Sequence, residues 1–298
     1  MADQPQPQPQ TQPPTERPDD VFDVEHIGVW GDTVEFAVTA ERIVAYAAAT
    51  NDDIKPHRAG DFAAPVFAVV PPFDQLAAVT LAAVPPHLML RIVHGEHDLR
   101  QYRPIVPGDQ LACRGKVLGI HGKSSGVVVT TLLETRDATG VLVNEQYVAG
   151  FFRGGRWPHE AGEPFPPHAL DPAAAGSEPA AVGTNHYDDD QTWRYAEASG
   201  DPMPIHTDDA FAKQMGFGGI IVHGLCTMAM ASQAVITHVC ADDPQRLSRL
   251  AVRFSAVGRP GQSITTRVWD TGPARVAFDT TNDAGDVLIT DGLAEFAS

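Results

Sequence analysis

The residues best suited to chemistry lie between Tyr195 and Val239, in the stretch YAEASGDPMPIHTDDAFAKQMGFGGIIVHGLCTMAMASQAVITHV. Asp201 and His206 share one polar loop that carries Pro202 and Pro204. A ring-locked φ at each proline lowers the cost of holding two side chains in register. A carboxylate and an imidazole held in this way can take a proton from water and deliver one to carbon. A Gly218-Gly219 break then precedes an apolar helix expected over Gly224–Val239. A helix N-terminus gathers unpaired N–H groups and positive potential, and a glycine there lets a carbonyl approach closely. Together these groups can move protons around a polarised carbonyl.

Taken singly, each residue has a plainer reading. Asp201 after Gly200 is a common turn pattern, His206 reads as a loop histidine and His223 as a structural group at a helix start. Their occurrence together, with the glycine break and the His223-Gly224 helix start, favours chemistry at Asp201 and His206. Around them, a helix over Trp193–Ser199 leads into the loop. Thr207 is the expected N-cap of a short following helix that stops at Gly216.

The rest of the chain supplies a framework. Residues 1–19 alternate Pro and Gln and read as an extended, disordered tail. A strand or two over Val24–Val38 and a helix over Ala40–Thr50 follow. The apolar region Phe62–Val93 is cut by prolines, and its uninterrupted piece, Phe73–Val84, is too short to span a bilayer and reads as a buried core helix. From Leu88 to Phe152, short β-branched runs between turn signals read as an antiparallel meander. Residues 154–182, rich in Pro, Gly and Ala, read as a linker, and strands recur over Leu247–Phe296. A helix packed on a meander is an α+β arrangement.

The net charge of −17 argues against nucleic acid or an anionic membrane as the main partner. Cys113, Cys226 and Cys240 form no CxxC and no metal spacing; an odd count of buried thiols fits a reduced, cytoplasmic setting. The N-terminus lacks the basic start and apolar run of a secretory signal. No metal, flavin or nicotinamide signature is present.

The two halves repeat one another. Tyr46–His57 (YAAATNDDIKPH) aligns with Tyr195–His206 (YAEASGDPMPIH) at a constant offset of 149, with Tyr, Ala, Asp and His in register. Helix, loop, helix and meander recur in the same order, so the sheets of two units could pair edge to edge. Asp52 and His57 keep the spacing without the glycines that support the second copy, and a structural role is expected for them.

The stretch YAEASGDPMPIH…GFGGIIVHG resembles the MaoC-like, (R)-specific enoyl-CoA hydratases of hydratase 2 type. The resemblance implies a double hot-dog fold: a degenerate unit over residues 20–153, and a chemically active one over 183–298, each with a long central helix wrapped by an antiparallel sheet. It implies hydration of trans-2-enoyl-CoA to (R)-3-hydroxyacyl-CoA by a water that Asp201 and His206 share, with the apportionment of their roles open. It further implies Gly224 as oxyanion donor, with His223 and Ser199 on the substrate-binding side. CoA enters only as part of the substrate, and a second copy of the chain is a candidate partner. Arg246, Arg249 and Arg253 are either CoA-phosphate contacts or solvated strand residues. One position departs: Met203 stands where the family's motif has an Asn. Two other readings stay open, an acyl-CoA thioesterase and a non-catalytic acyl-CoA-binding scaffold.

Overall fold

A computed structural model describes residues 18–169, 176–240 and 243–297. The expected Pro/Gln tail lies outside the described residues except for Pro18 and Asp19.

The strands are β1 (Val34–Ala37), β2 (Ile92–Gln101), β3 (Gln110–Lys123), β4 (Gly126–Asp137), β5 (Leu142–Arg153), β6 (Glu160–Gly162), β7 (Ala181–His186), β8 (Leu247–Phe254), β9 (Ser263–Gly272), β10 (Arg275–Asn282) and β11 (Val287–Phe296). They form one sheet in the order β1-β3-β4-β5-β2-β8-β11-β10-β9-β7, with β6 added beside β3. All the paired strands run antiparallel. The first half of the chain supplies one side of the sheet and the second half the other. They join at β2 and β8, where Glu96 pairs with Arg253 and Arg100 with Arg249. The edge-to-edge joining expected from the repeat is therefore present.

The seam also engages two of the three arginines. Arg249 donates to both oxygens of the fully buried Asp98 at 2.9 and 2.8 Å. Arg253 bridges Glu96 and Asp291, each at 3.1 Å, and Arg246 donates to the Ala297 carbonyl at 3.0 Å. Arg249 and Arg253 are thus engaged in ion pairs at the seam and Arg246 in a backbone contact near the chain end.

Among the described residues there are six α-helices: α1 (Ala40–Ala49), α2 (Lys55–Ala59), α3 (Phe73–Ala82), α4 (Gln191–Ser199), α5 (Asp209–Gln214) and α6 (Gly224–Val239). In α6 every residue from Leu225 to Gln233 is buried, because the second half of the sheet curls around it. This all-round burial is what an all-round apolar helix requires. The first half differs from expectation. Its buried segment is a 3-10 helix over Pro65–Val69, and Pro71-Pro72 then break the chain before α3. Proline lacks the N–H and clashes with the preceding turn, so no continuous helix can form there. In α3 only Gln75 and Thr80 are buried, which corrects the expected core helix over Phe73–Val84. The short helix α5 is capped by Asp208, whose Oδ1 accepts the Phe211 N–H at 3.0 Å; Thr207, the expected cap, ends the preceding turn.

The stretch read as a linker is docked over much of its described length. β6 pairs with Gly119–His121, and a Cβ on Gly122 would overlap the Trp157 carbonyl, so glycine there lets the strap cross β3. His168 is buried between Glu96 (3.0 Å) and the Asp291 carbonyl (2.7 Å).

Candidate active site

Helix α4 ends at Gly200, whose φ of 78° turns the chain into the polar loop. The Asp201 N–H donates to the Ser199 hydroxyl at 3.3 Å, and Asp201 Oδ1 accepts the Met203 N–H at 3.1 Å. This is a local Asx turn. Pro204 opens a 3-10 turn over Pro204–His206, in which the His206 N–H donates to the Met203 carbonyl at 3.0 Å. The loop is thus closed by backbone groups at Met203. The amide that the family's motif places there is not needed for the turn.

His206 is oriented by a backbone carbonyl from the other side of the site. Its Nδ1 lies 2.8 Å from the Ile221 oxygen, and the Ile221 N–H returns a bond to the Ile205 carbonyl at 3.2 Å. A carbonyl can only accept, so Nδ1 carries the proton, and in the neutral ring Nε2 carries the lone pair. His223 stacks on His206 with ring centroids 3.6 Å apart and planes inclined by 22°. By the same logic its Nε2, 3.3 Å from the Asp201 carbonyl, is the protonated nitrogen; its Nδ1 is buried without a partner.

Helix α6 begins against this cluster. The Cys226 and Thr227 N–H groups turn back to the His223 carbonyl, and no side chain caps the end. The N–H groups of the first turn have no acceptor within the helix, so Gly224 and Leu225 present theirs at its mouth. Phe254 lies behind Gly224: a Cβ added there would sit 3.2 Å from the ring. Tyr187 steadies the turn through a 2.7 Å hydrogen bond to the Thr227 hydroxyl.

Burial dominates the electrostatics. It holds the Asp201 carboxyl above the usual carboxylate range, against the pull of His206 and of the Met203 N–H. It lowers His206, against Asp201 and the Ile221 carbonyl. It also drives His223 down to about 2, with His206 adding to the effect. Burial therefore opposes charge on both members of the pair. Burial likewise pushes the Cys226 thiol up to about 12, which makes it a poor nucleophile.

Ligand atoms of Asp201, His206 and His223 lie within 4.8 Å of one another, the spacing of a small metal cluster. The ring geometry opposes that use. A metal binds an imidazole nitrogen at about 2.1 Å in the ring plane. Two rings stacked at 3.6 Å send their in-plane lone pairs side by side, not to one point.

The sequence of this chain matches the MaoC like domain over residues 172–292 and the MFE-2 hydratase 2 N-terminal domain over residues 43–154. The chain belongs to the MaoC-like hydratase 2 family. A Dictyostelium discoideum protein named probable enoyl-CoA hydratase 2 is 28% identical over 208 residues, which cover 69% of this chain and 70% of that protein. The Drosophila melanogaster peroxisomal multifunctional enzyme type 2 is 30% identical over 84% of this chain, which spans only 44% of that protein. The crystal structure of a MaoC-like dehydratase from Phytophthora capsici is 26% identical, with a TM-score of 0.81 over 93% of this chain and 99% of that one. A Mycobacterium tuberculosis protein described as a double hotdog fold matches with a TM-score of 0.58 at 15% identity, over 89% of this chain and 94% of that one. The fold of this MaoC-like chain is thus the double hot-dog that the resemblance implied. No helix among the described residues is long and apolar enough to cross a membrane.

Within this MaoC-like pair of units, the first copy of the motif is wired differently. Asp52 Oδ1 accepts the Ile54 N–H at 2.8 Å, the same Asx turn as at Asp201. But Asp52 Oδ2 is 2.8 Å from His57 Nδ1, and both side chains are sealed from solvent. Carboxylate and imidazole there are spent on each other. At the position of Gly200 stands Asn51, with φ 50°. Asn tolerates this left-handed geometry, and its amide nitrogen lies 3.1 Å from the His186 carbonyl in the second half. The Ile221 carbonyl and Phe254, both beside the candidate site of the second copy, carry no local sequence signal; only the three-dimensional fold brings them to His206 and Gly224.

Proposed function

We propose that this chain adds water reversibly to trans-2-enoyl-CoA, giving (R)-3-hydroxyacyl-CoA. The observation that carries the reading is the wiring of His206. With Nδ1 donating to Ile221, its Nε2 faces the site as a base beside an Asp201 whose raised affinity for protons makes it an acid. His206 Nε2 takes a proton from water as the water oxygen bonds to C3. Asp201 delivers its proton to C2. The electrons of the C2–C3 double bond pass through an enolate at C1, which the Gly224 N–H stabilises. The proton on His206 then returns to Asp201, restoring the pair. Ser199 and His223 position Asp201 through its N–H and carbonyl respectively.

No cofactor takes part in this scheme beyond the CoA of the substrate. A homodimer and a cytoplasmic location belong to the same proposal, and relatives named peroxisomal make the compartment a separate experimental question. The test is purified protein with crotonyl-CoA and longer enoyl-CoAs. Loss of enoyl absorbance, chiral analysis of the product and release of free thiol are followed together. Thiol release without hydration would replace this reading with the thioesterase, and binding without turnover at any chain length would replace it with the scaffold.

A further inference from the structure

We propose that the first half of the sheet recognises a hydroxyl group on the acyl tail of the substrate, through His97, Asn144 and Gln146. The proposal rests on the enoyl-CoA reading and names the substrate class within it: chains hydroxylated beyond the reacting carbons.

The three residues share one face of the sheet. In the β2–β5 register His97 pairs with Val148, Leu99 with Gln146 and Gln101 with Asn144, so alternation places them on the side of the core residue Leu99. His97 is 1% exposed, and Asn144 and Gln146 are fully buried. Such positions are ordinarily apolar. The internal repeat provides the control. Exchanging the halves about the β2–β8 seam carries Glu96 to Arg249 and Arg100 to Arg253. The same step carries His97 to Leu250, a fully buried leucine.

The cluster is only half satisfied. Gln146 Nε2 donates to the Ala68 carbonyl at 2.6 Å and to Asn144 Oδ1 at 3.0 Å, and His97 Nδ1 is 3.2 Å from His94 Nε2. Left without a partner are Asn144 Nδ2, Gln146 Oε1 and His97 Nε2. Gln146 lies near enough to act on the charge of His97, yet no well-formed hydrogen bond joins those two free atoms. Buried polar groups left open in this way are costly, and a group that closes them binds with the corresponding gain. The open set is a donor (Asn144 Nδ2), an acceptor (Gln146 Oε1) and a ring nitrogen that takes either role. A hydroxyl both donates and accepts, so it meets the set where an alkyl chain meets none of it.

The cluster connects to the reacting centre. Gly224 lies against the Phe254 ring, Phe254 meets the His94 ring edge to face at 5.1 Å, and His94 touches His97. The 3-10 helix Pro65–Val69, which stands where a continuous helix would otherwise lie, carries the Ala68 carbonyl that anchors Gln146.

The experiment compares matched enoyl-CoA pairs of equal chain length, with and without a hydroxyl that is moved one carbon at a time along the tail. The wild-type protein is expected to prefer a hydroxylated chain at one or two positions by at least tenfold in kcat/KM, since a site built for a hydroxyl discriminates against its absence. His97→Leu, which installs the residue of the second copy, is expected to lower kcat/KM for the hydroxylated chain and raise it for the plain one. If that variant does not fold, Asn144→Ala reads the same contrast. No preference at any position in the wild type overturns the inference while leaving hydration intact. A preference that persists unchanged in the folded variant overturns it too. Failure to turn over any enoyl-CoA, plain or hydroxylated, instead overturns the hydratase reading beneath it.

Discussion

The hydroxyls of Tyr46 and Tyr195 lie 3.2 Å apart, although 149 residues separate them in the chain. They are the same residue of the repeat, one from each copy, and both rings are buried. The two copies thus meet through their equivalent positions on α1 and α4, with the ring of Tyr195 4.8 Å from His223. The contact ties the unit in which Asp and His are spent on each other to the unit proposed to be catalytic.

Removing one of these hydroxyls strands the other. Tyr46→Phe or Tyr195→Phe is expected to cost about 1–3 kcal/mol, the penalty for an unsatisfied buried group. The double variant is expected to recover part of that loss, because it leaves neither hydroxyl unpaired. Urea unfolding of the four proteins measures the coupling. Strictly additive losses would show that the two hydroxyls do not pair in solution.

The two Asp–His pairs are expected to respond oppositely to the same substitutions. Asp201→Asn and His206→Gln should each lower kcat by roughly 10²–10⁴-fold, the usual contribution of a general acid or base. Asp52→Asn and His57→Gln should instead lower stability by about 1–3 kcal/mol, because each breaks a sealed hydrogen bond. Their kcat should stay within a few-fold of wild type. Comparable loss of turnover in both sets would place chemistry in the first copy as well.

The sequence made the second copy readable because its signal is local. Gly200, Asp201, Pro204 and His206 build one turn, and Gly224 opens the helix that faces it. What was not readable depends on distant partners. The Ile221 carbonyl that fixes the His206 tautomer is a backbone group, which any residue would supply. The docking of residues 154–169 depends on how closely another segment can approach Gly119 and Gly122, and composition alone reads that segment as a linker. Pro71-Pro72 marked a break, but which side of it would be buried followed from the sheet, not from hydropathy.

Gly224→Ala probes the approach to the helix mouth. The added methyl would stand 3.2 Å from the Phe254 ring, close enough that the ring must yield by a few tenths of an ångström. Alanine is otherwise a good residue for a helix, so the fold should tolerate it. We expect kcat/KM to fall tenfold or more with little change in unfolding midpoint, since a small misplacement of the carbonyl weakens the oxyanion contact. Wild-type kinetics would move the oxyanion donor away from Gly224.

Acid should destabilise the protein earlier than its carboxylates alone would dictate. Burial holds His223 down to about 2, His94 down to about 3 and His97 down to about 4, whereas a histidine in the unfolded chain titrates near about 6.5. Below about pH 6.5 the unfolded chain therefore binds protons that the native state refuses, and stability falls as pH falls. Each of the three histidines contributes a slope of about 1.4 kcal/mol per pH unit. The His97 contribution ends near its native value and those of His94 and His223 continue below it. Asp201 acts in the opposite sense, because its raised native affinity favours the folded state as acid is added. His94, His97 and His223, with His206 lowered in the same sense, against one carboxyl leave a net loss between about pH 6.5 and 4. Urea midpoints measured at intervals across that window should decline steadily, and His97→Leu, which removes one of these groups, should flatten the decline. A stability that is level from pH 6.5 to 4.5 would mean that these histidines take up protons in the folded protein, and that the core around them opens to water.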